Sequence, residues 1–214
     1  MPMNRTVFII DGFNLYHSVR EAAKFFNGKG TKWLNIKELC SSYLHIISRT
    51  AKLKQVYYFS ALAKHLEATH PDVTTRHRKF IECIKDTEII IHLARFKKKN
   101  VLCNHCGKSI KRHEEKETDV AIASSLFEIL YNDEADNIVI MSGDTDIAPS
   151  VRTAKKMYPT KLIGFAFPYQ RKNKELSVIA DFSFTISKEQ YGKYQFPDPY
   201  ILKNGRKIYK PAEW

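Results

Sequence analysis

The chain contains 214 residues, 43% of them hydrophobic and 27% charged, which excludes a disordered protein and suits one α/β domain with a small appendage. No segment reaches the roughly 20 apolar residues of a membrane helix, and the first residues lack the apolar run of a signal peptide. Four cysteines are too few for a disulfide scaffold. We therefore expect a soluble cytoplasmic protein that does not enter a membrane.

The charge balance is strongly basic. Lysine and arginine number 35 against 23 aspartates and glutamates, which gives a net charge of +12. An excess of this size favours a polyanionic partner such as a nucleic acid. A basic surface can also aid solubility or touch a membrane surface, so the location of the charges has to decide between these interpretations.

In chain order, short apolar runs rich in β-branched residues alternate with segments of helical periodicity. Strands are predicted over 7–10, 55–59, 88–93, 137–141, 161–167 and 182–186, and helices over 15–26, 35–48, 72–85, 117–131, 146–157 and 174–180. Continuously apolar strands separated by helices predict a mainly parallel sheet that is covered by helices on both faces. The predicted class is therefore α/β, with a three-layer α/β/α arrangement.

Two segments interrupt the alternation, namely residues 96–116 and residues 191–214. The second contains Asn204-Gly205 between two short apolar-bearing arms, which is a strong hairpin signal. We expect residues 1–190 to form the domain with 96–116 as an insert. Residues 191–214 then form a C-terminal extension whose hairpin packs on the domain.

Four aspartates are predicted to meet at one edge of the sheet. Asp11 follows the first strand, Asp144 and Asp146 follow the strand over 137–141, and Asp119 lies in the first turn of the preceding helix. Ligands of open parallel sheets bind beyond the carboxyl ends of the strands. Clustered carboxylates repel one another, and a hard divalent cation such as Mg²⁺ or Mn²⁺ relieves that repulsion.

Each aspartate also has an ordinary structural interpretation. Asp146 could be a helix N-cap, Asp119 a first-turn acid that complements the helix dipole, and Asp11 part of a simple turn. Asn14 could likewise cap a helix that begins at Leu15. Only the joint placement of these residues favours a shared site.

The residues Phe8-Ile-Ile-Asp11-Gly-Phe-Asn14-Leu-Tyr16, then Lys116-Glu-Thr-Asp119-Val120, then Ile140-Met-Ser-Gly143-Asp144-Thr-Asp146 form a recognisable ordered pattern. This pattern resembles the NYN domain family of PIN-like nucleases. The resemblance implies a PIN-like fold and divalent-metal-dependent hydrolysis of phosphodiester bonds, usually in RNA. It places Asp11, Asp119, Asp144 and Asp146 at the acidic metal positions and Asn14 at the residue that orients metal or phosphate.

One position departs from this family pattern. Relatives often carry a further acid two turns along the helix of Asp119, where this chain has Ser125, preceded by Ser124. Fewer carboxylates would mean a weaker second metal, a different substrate or low turnover. The departure keeps open a protein that binds or scaffolds RNA with a degenerate metal site, and a DNA-directed nuclease is a further alternative.

The insert contains a CxxC motif. Cys103 and Cys106 form half of a zinc knuckle, whereas a closed structural Zn²⁺ site needs four ligands. The remaining ligands could come from His92, His105, His113 or another subunit of a homo-oligomer. The motif is predicted to hold Zn²⁺ in a small ribbon, and the alternative is a pair of reduced surface cysteines.

Two basic segments should border the acidic edge and bind RNA. Each leaves the carboxyl end of a predicted strand and combines cations with an aromatic residue, which suits a phosphate backbone with stacked bases. The predicted RNA-binding residues are Lys97, Lys98, Lys99, Arg171, Lys172 and Lys174. The alternative is a solvated run of charge. His17, one turn after Asn14, could contact the substrate, although a lone helical histidine is more often structural.

Overall fold

A computed structural model describes residues 4–26, 30–102, 106 and 109–214, and for residue 102 and residues 110–116 it describes the backbone alone. Among these residues, no helix is both long and apolar enough to cross a bilayer. The main strands are β1 (Asn4–Asp11), β2 (Ala51–Ala61), β3 (Ile90–Leu102), β4 (Ser109–Lys116), β5 (Asn137–Met141), β6 (Leu162–Phe167) and β7 (Ser183–Thr185).

The seven strands form one sheet in the order β4-β3-β2-β1-β5-β6-β7. Six of them run parallel to their neighbours, and only the pairing of β4 with β3 is antiparallel. The central strands are buried on both faces, since residues 7–10 of β1 and all of β5 are inaccessible. This double burial explains their unbroken apolar sequence.

Helices cover both faces of the sheet. They are α1 (Gly12–Ala23), α2 (Ile36–Ser42), α3 (Leu44–Ile47), α4 (Val73–Asp86), α5 (Thr118–Tyr131), α6 (Ala148–Met157), α7 (Lys174–Ile179) and α8 (Lys188–Lys193). Phe8 and Ile10 pack with α1, α2, α4 and α8 on one face, whereas Val7 and Ile9 pack with α5, α6 and α7 on the other. Alternate side chains of β1 therefore lie in two hydrophobic cores, one on each face of the sheet. The predicted α/β/α sandwich is confirmed.

The predicted helices differ most from the structure at two places. The helix predicted over 15–26 begins at Gly12, because Asp11 rather than Asn14 is its N-cap, and a 3-10 turn (Lys24–Phe26) follows it. The alternative role of Asn14 as a helix cap was therefore wrong. The helix predicted over 35–48 is interrupted at Tyr43, whose ring stacks on Phe184 at 5.0 Å between centroids.

The insert over 96–116 continues the sheet. β3 runs on from the predicted strand over 88–93 as far as Leu102 and pairs with β4 as an antiparallel hairpin. Cys103 and His105 lie outside the described residues, as does the side chain of His113, and the thiol of Cys106 is exposed and unbonded to another cysteine. The zinc ribbon stays a prediction.

The C-terminal segment packs on the domain. β8 (Tyr200–Ile201) and β9 (Lys207–Ile208) form the predicted hairpin, and Gly205 in its turn has φ +85°, which glycine adopts without strain. Tyr191, Phe196, Leu202 and Ile208 are buried in the core beside α1 and α4. The predicted division at residue 190 falls within α8.

Candidate active site

The candidate site lies where β1 and β5 end side by side. β2 lies beside β1, and β3 lies beside β2, on one side of the sheet. β5 lies on the other side of β1. The strand order thus reverses between β1 and β5, which is where open α/β sheets form their ligand crevice. The sequence after each of these two strands supplies the polar residues of the site.

Asp11 is buried at the end of β1 and held there by two hydrogen bonds. Its side chain is only 7% exposed, its Oδ1 accepts a hydrogen bond from the Asn14 backbone N–H at 2.9 Å, and its Oδ2 accepts one from Ser142 Oγ at 2.9 Å. Burial raises the pKa of Asp11, the two hydrogen bonds lower it, and the negative charge of Asp144 raises it further. A cation at this carboxylate would remove the cost that burial and Asp144 impose.

The turn after β5 is organised by hydrogen bonds of its own. Asp144 N–H donates to Ser142 Oγ at 3.1 Å, and Asp144 Oδ1 accepts from Asp146 N–H at 3.1 Å, which caps a 3-10 turn (Thr145–Ile147). Gly143 N–H donates to Asn14 Oδ1 at 3.1 Å, so α1 is tied directly to this turn. Asp146 is exposed at the first turn that leads into α6.

Asp119 reaches the site from the first turn of α5. The residue before that helix, Glu117, has φ +81°, a left-handed conformation that is uncommon outside glycine and is often found at functional sites. Burial raises the pKa of Asp119, and the charges of Asp144, Asp11 and Asp146 raise it further, in that order. Asp119 therefore belongs to the same electrostatic cluster as the other three aspartates.

These side chains surround a polar cavity of about 280 Å³. The structure brings Asp11, Asn14, Asp119 and Asp144 together in its wall, whereas Asp146 stands just outside it. His17 is also in the wall, and its pKa is lowered by burial and by the charges of Arg171 and Arg20. Among the residues that the structure describes, those that line the cavity are Asp11, Phe13, Asn14, His17, Glu117, Thr118, Asp119, Asp144 and Arg171.

The donor set suits a hard divalent cation. Carboxylate oxygens are the preferred protein ligands of Mg²⁺, which retains several waters and commonly takes only one or two carboxylates from the protein. In the part of the chain that the structure describes, no three His, Cys, Asp or Glu side chains converge closely enough to hold an ion between them. The cavity thus fits a largely hydrated ion better than a closed cage of protein ligands.

The predicted RNA-binding residues differ in their distance from this cavity. Arg171 lines it, and Lys172 and Lys174 are exposed just after Arg171. Lys97 Nζ lies 3.7 Å from Glu117 Oε1, and Glu117 is itself in the wall. Lys98 and Lys99 are exposed further along β3. Cations thus stand on two sides of the acidic cavity.

Arg171 reaches the cavity because of a close backbone approach. A side chain at Gly143 would collide with the backbone carbonyl of Arg171, so the glycine lets the loop after β6 pass against the turn after β5. Gly12 plays a similar part, since a Cβ there would come within 2.7 Å of the Tyr58 ring. Each glycine allows two neighbouring segments of the site to touch.

Two residues that shape the site are not predicted from the sequence. Ser142 bridges the Asp11 carboxylate and the Asp144 backbone, and Glu117 lines the cavity and accepts hydrogen bonds from the Arg95 guanidinium at 2.8 and 3.1 Å. A signal for Ser142 was present, because this polar residue directly follows an apolar strand. The contact of Glu117 with Arg95 depends on the long hairpin of β3 and β4, which the sequence pattern does not reveal.

Two further predicted positions lie away from the cavity. Ser125 is only 6% exposed on the inner face of α5 and is not among the residues that line the cavity. His92 stacks on Phe59 with ring centroids 4.6 Å apart, and its buried Nε2 has no hydrogen-bond partner in the structure. The position of His92 within the parallel part of β3 separates it from Cys106 by most of the hairpin.

A mainly parallel sheet between two helical layers, with aspartates at the carboxyl ends of its central strands, defines an α/β/α protein of the PIN-like class. The family model for the NYN domain matches residues 5–188. The chain therefore belongs to the NYN domain family, a family of PIN-like nucleases.

Among solved structures, the chain is similar to a protein of unknown function, VPA0982, from Vibrio parahaemolyticus. The two share 15% identity over 86% of this chain and 94% of the other, with a TM-score of 0.57, which supports the fold alone. MurG from Acinetobacter baumannii matches over 92% of this chain and 44% of its own, with 12% identity and a TM-score of 0.35, too low to support an argument. No curated protein sequence gives a match.

Proposed function

We propose that this protein is a divalent-metal-dependent endoribonuclease whose reaction takes place in the acidic cavity between β1, β5 and α5. The observation that carries the proposal is the convergence of Asp11, Asp119 and Asp144 on one polar cavity, where the charge of Asp144 raises the pKa of both Asp11 and Asp119. Unrelieved repulsion of this kind is costly unless a cation joins the site. Membership of a nuclease family supports the same chemistry.

The contacts of the aspartates and of Asn14 suggest a separate role for each. Asp11 and Asp144 would hold the ion, because hydrogen bonds from Ser142, Asn14 and Asp146 fix their orientation. Asp119 and Asp146 would position the attacking water or help to recruit a second ion. Asn14, whose Oδ1 is engaged by Gly143, would hold the two loops of the site in register.

A bound Mg²⁺ or Mn²⁺ would neutralise charge on the phosphoryl group and make a bound water more acidic. Arg171 lines the same cavity and can contact a phosphate oxygen through its planar guanidinium. Lys172, Lys174 and Lys97 extend the positive surface on either side of the cavity. The strand would thus lie across the cavity with its backbone held by these cations.

RNA is the proposed substrate, on the strength of the family and of the basic surface. Purified protein should cleave labelled single-stranded RNA with Mg²⁺ or Mn²⁺ and should be inactive in EDTA. Single-stranded DNA of the same sequence serves as the competitor, because a site that recognises the 2′-hydroxyl prefers RNA. Equal competition by DNA would identify a general nuclease, and cleavage that persists in EDTA would contradict the proposal.

A binding protein without catalysis is the second candidate. It is favoured by one observation, that no three metal-ligating side chains among the described residues are close enough to share an ion. Tight RNA binding without cleavage at any Mg²⁺ or Mn²⁺ concentration would support this candidate.

The remaining proposals are a cytoplasmic location, a structural Zn²⁺ at Cys103 and Cys106, and association into a homo-oligomer. Zinc analysis of protein purified without chelator tests the metal.

A further inference from the structure

A second cavity lies directly beside the acidic one. Its volume is about 330 Å³, at the lower end of the roughly 300–1,000 Å³ typical of small-molecule pockets. Phe13 and His17 line both cavities. These two residues lie on the first turns of α1, immediately after Asp11, so the first turns of α1 form a wall common to the two cavities.

The wall of this second cavity is aromatic. The rings of Phe13 and Phe96 meet edge to face at 5.7 Å between centroids, and His65 lies 4.5 Å from Phe96. Phe80 and Trp214, also in the wall, are 5.4 Å apart. Flat apolar surfaces of this kind are what an unstacked nucleobase binds, since every base has a π-face.

The same cavity carries an excess of positive charge. Arg20, Lys32 and Arg76 line it, and Glu213 is the single acidic side chain among its described lining residues. Glu213 Oε2 lies 2.5 Å from Arg76 Nη1, and Lys32 Nζ donates to the Glu213 carbonyl at 3.2 Å. The Glu213 carboxylate is thus paired with Arg76, whereas Lys32 contacts a neutral carbonyl oxygen of the backbone.

The crowding of these cations is visible in Lys32. Its pKa is lowered, first by burial and then by the charges of Arg20 and Arg76, with only Glu213 acting in the opposite direction. A phosphate at this position would relieve the repulsion among the three cations, as a metal would among the aspartates.

We propose that this aromatic pocket binds one unstacked nucleotide of the substrate strand, with its base against Phe96 and Phe13 and its phosphate near Arg20 and Lys32. The inference rests on the proposed ribonuclease function and adds the substrate class, an unpaired strand with one base turned out beside the scissile phosphate. A base in a duplex can enter the pocket only after unpairing and unstacking, which costs free energy.

The test measures binding in EDTA, where no cleavage occurs, by the fluorescence anisotropy of a labelled RNA decamer. Phe96→Leu keeps an apolar side chain but removes the aromatic face, and it should weaken single-strand binding on the order of 10-fold. Phe96→Tyr keeps the face and should bind like the wild type. Neither change should alter binding to an RNA duplex of equal length.

A second pair of variants tests the phosphate side. Arg20→Gln removes a cation from the pocket, whereas Arg49→Gln makes the same change just before β2, at the opposite edge of the sheet. Single-strand binding should fall several-fold for the first and stay unchanged for the second. Thermal unfolding of all four variants shows whether each retains the fold.

Several results would overturn the proposal. Phe96→Leu could bind the single strand as tightly as the wild type, or lose equal affinity for single strand and duplex. Arg20→Gln could behave like Arg49→Gln. A mononucleotide that binds as tightly as the decamer would make this a site for free nucleotides. Each outcome is separate from failure of the nuclease, which would appear as absent metal-dependent cleavage while the binding comparison still stands.

Discussion

Asp119 carries an electrostatic cost when no cation is bound. Its pKa is raised by burial and by three neighbouring aspartates, so its charged form is disfavoured in the folded protein. When the pKa of a carboxyl group is higher in the folded state than in the unfolded state, the free energy of unfolding falls as the pH rises from the unfolded pKa through the folded pKa. At neutral pH the metal-free protein is therefore less stable than it would be with a neutral residue at this position.

Asp119→Asn should raise the melting temperature of the protein in EDTA by about 1–3 °C at pH 7, while it lowers metal-dependent cleavage. Asp72→Asn, a change at an exposed aspartate before α4, is the matched control and should do neither. Mg²⁺ should raise the melting temperature of the wild type, and the difference between Asp119→Asn and the wild type should therefore become smaller. A lower melting temperature for Asp119→Asn in EDTA would contradict the charge cluster.

His77 also gives the stability of the protein a pH dependence with a defined direction. Burial lowers its pKa from 6.5 to about 4. The unfolded chain takes up a proton below pH 6.5 that the folded chain resists, so the contribution is complete above that pH and is lost progressively towards pH 4.

His77→Gln removes this titration. Between pH 7 and pH 4 the wild type should lose more free energy of unfolding than the variant does, by at most about 3 kcal/mol. Urea unfolding at several pH values measures the difference. Parallel curves for the two proteins across this range would show that His77 is not buried as a neutral side chain.

At the level of individual residues, the sequence predicts the acids of the site better than their supports. Asp11 and Asp144 could be found because they follow apolar strands whose carboxyl ends must share an edge. The bridge from Ser142 to Asp11 spans 131 positions, and the left-handed backbone of Glu117 is a property of three-dimensional context. Neither leaves a periodic trace in the sequence.

The site is formed by loops and strand ends. At Gly143 the turn after β5 touches the loop after β6 that carries Arg171. Gly143→Ala should push the turn after β5 away from the loop that carries Arg171, at a cost of about 1–3 kcal/mol in stability. Gly192→Ala is the matched control, because a Cβ there meets nothing within 4 Å and α8 should gain from alanine. Chemical denaturation compares the two.

The opposite order of stabilities would contradict this account of the loop contact. Gly143→Ala should also weaken RNA binding, since Arg171 moves with its loop, and Gly192→Ala should leave it unchanged.

Elements with a strong local signal are predicted well. The strand over 137–141 has the predicted bounds, because its apolar run ends sharply on both sides. β3 extends nine residues beyond its predicted end at 93, because its outer part is held by pairing with β4 rather than by an apolar pattern. Pairing between segments is not encoded in the periodicity of either one.

At the scale of the whole molecule, the net charge is +12, and cations that include Arg171 and Lys97 stand on both sides of the acidic cavity. Binding of single-stranded RNA should therefore weaken with salt, with a logarithmic slope of about −0.7 for each phosphate contacted. Arg171→Gln should reduce the size of that slope by about one contact. Lys52→Gln, near the start of β2 at the opposite edge of the sheet, should not.

Identical slopes for Arg171→Gln, Lys52→Gln and the wild type would show that the strand does not cross the acidic cavity. A slope near zero for the wild type would remove the nucleic-acid interpretation of the charge altogether.

Metal-dependent cleavage in the acidic cavity is tested most directly by a comparison of the wild type with Asp144→Asn on labelled single-stranded RNA in Mg²⁺, Mn²⁺ and EDTA. Asparagine keeps the Oδ1 acceptor that caps the turn at Asp146 but removes the charge that would hold a cation. We expect cleavage by the wild type with either metal, none in EDTA, and none by Asp144→Asn. RNA binding by this variant should stay close to that of the wild type, and its melting temperature in EDTA should be equal or slightly higher, because position 144 no longer repels Asp11 and Asp119. Equal cleavage by both proteins, or cleavage that persists in EDTA, would contradict the proposed mechanism.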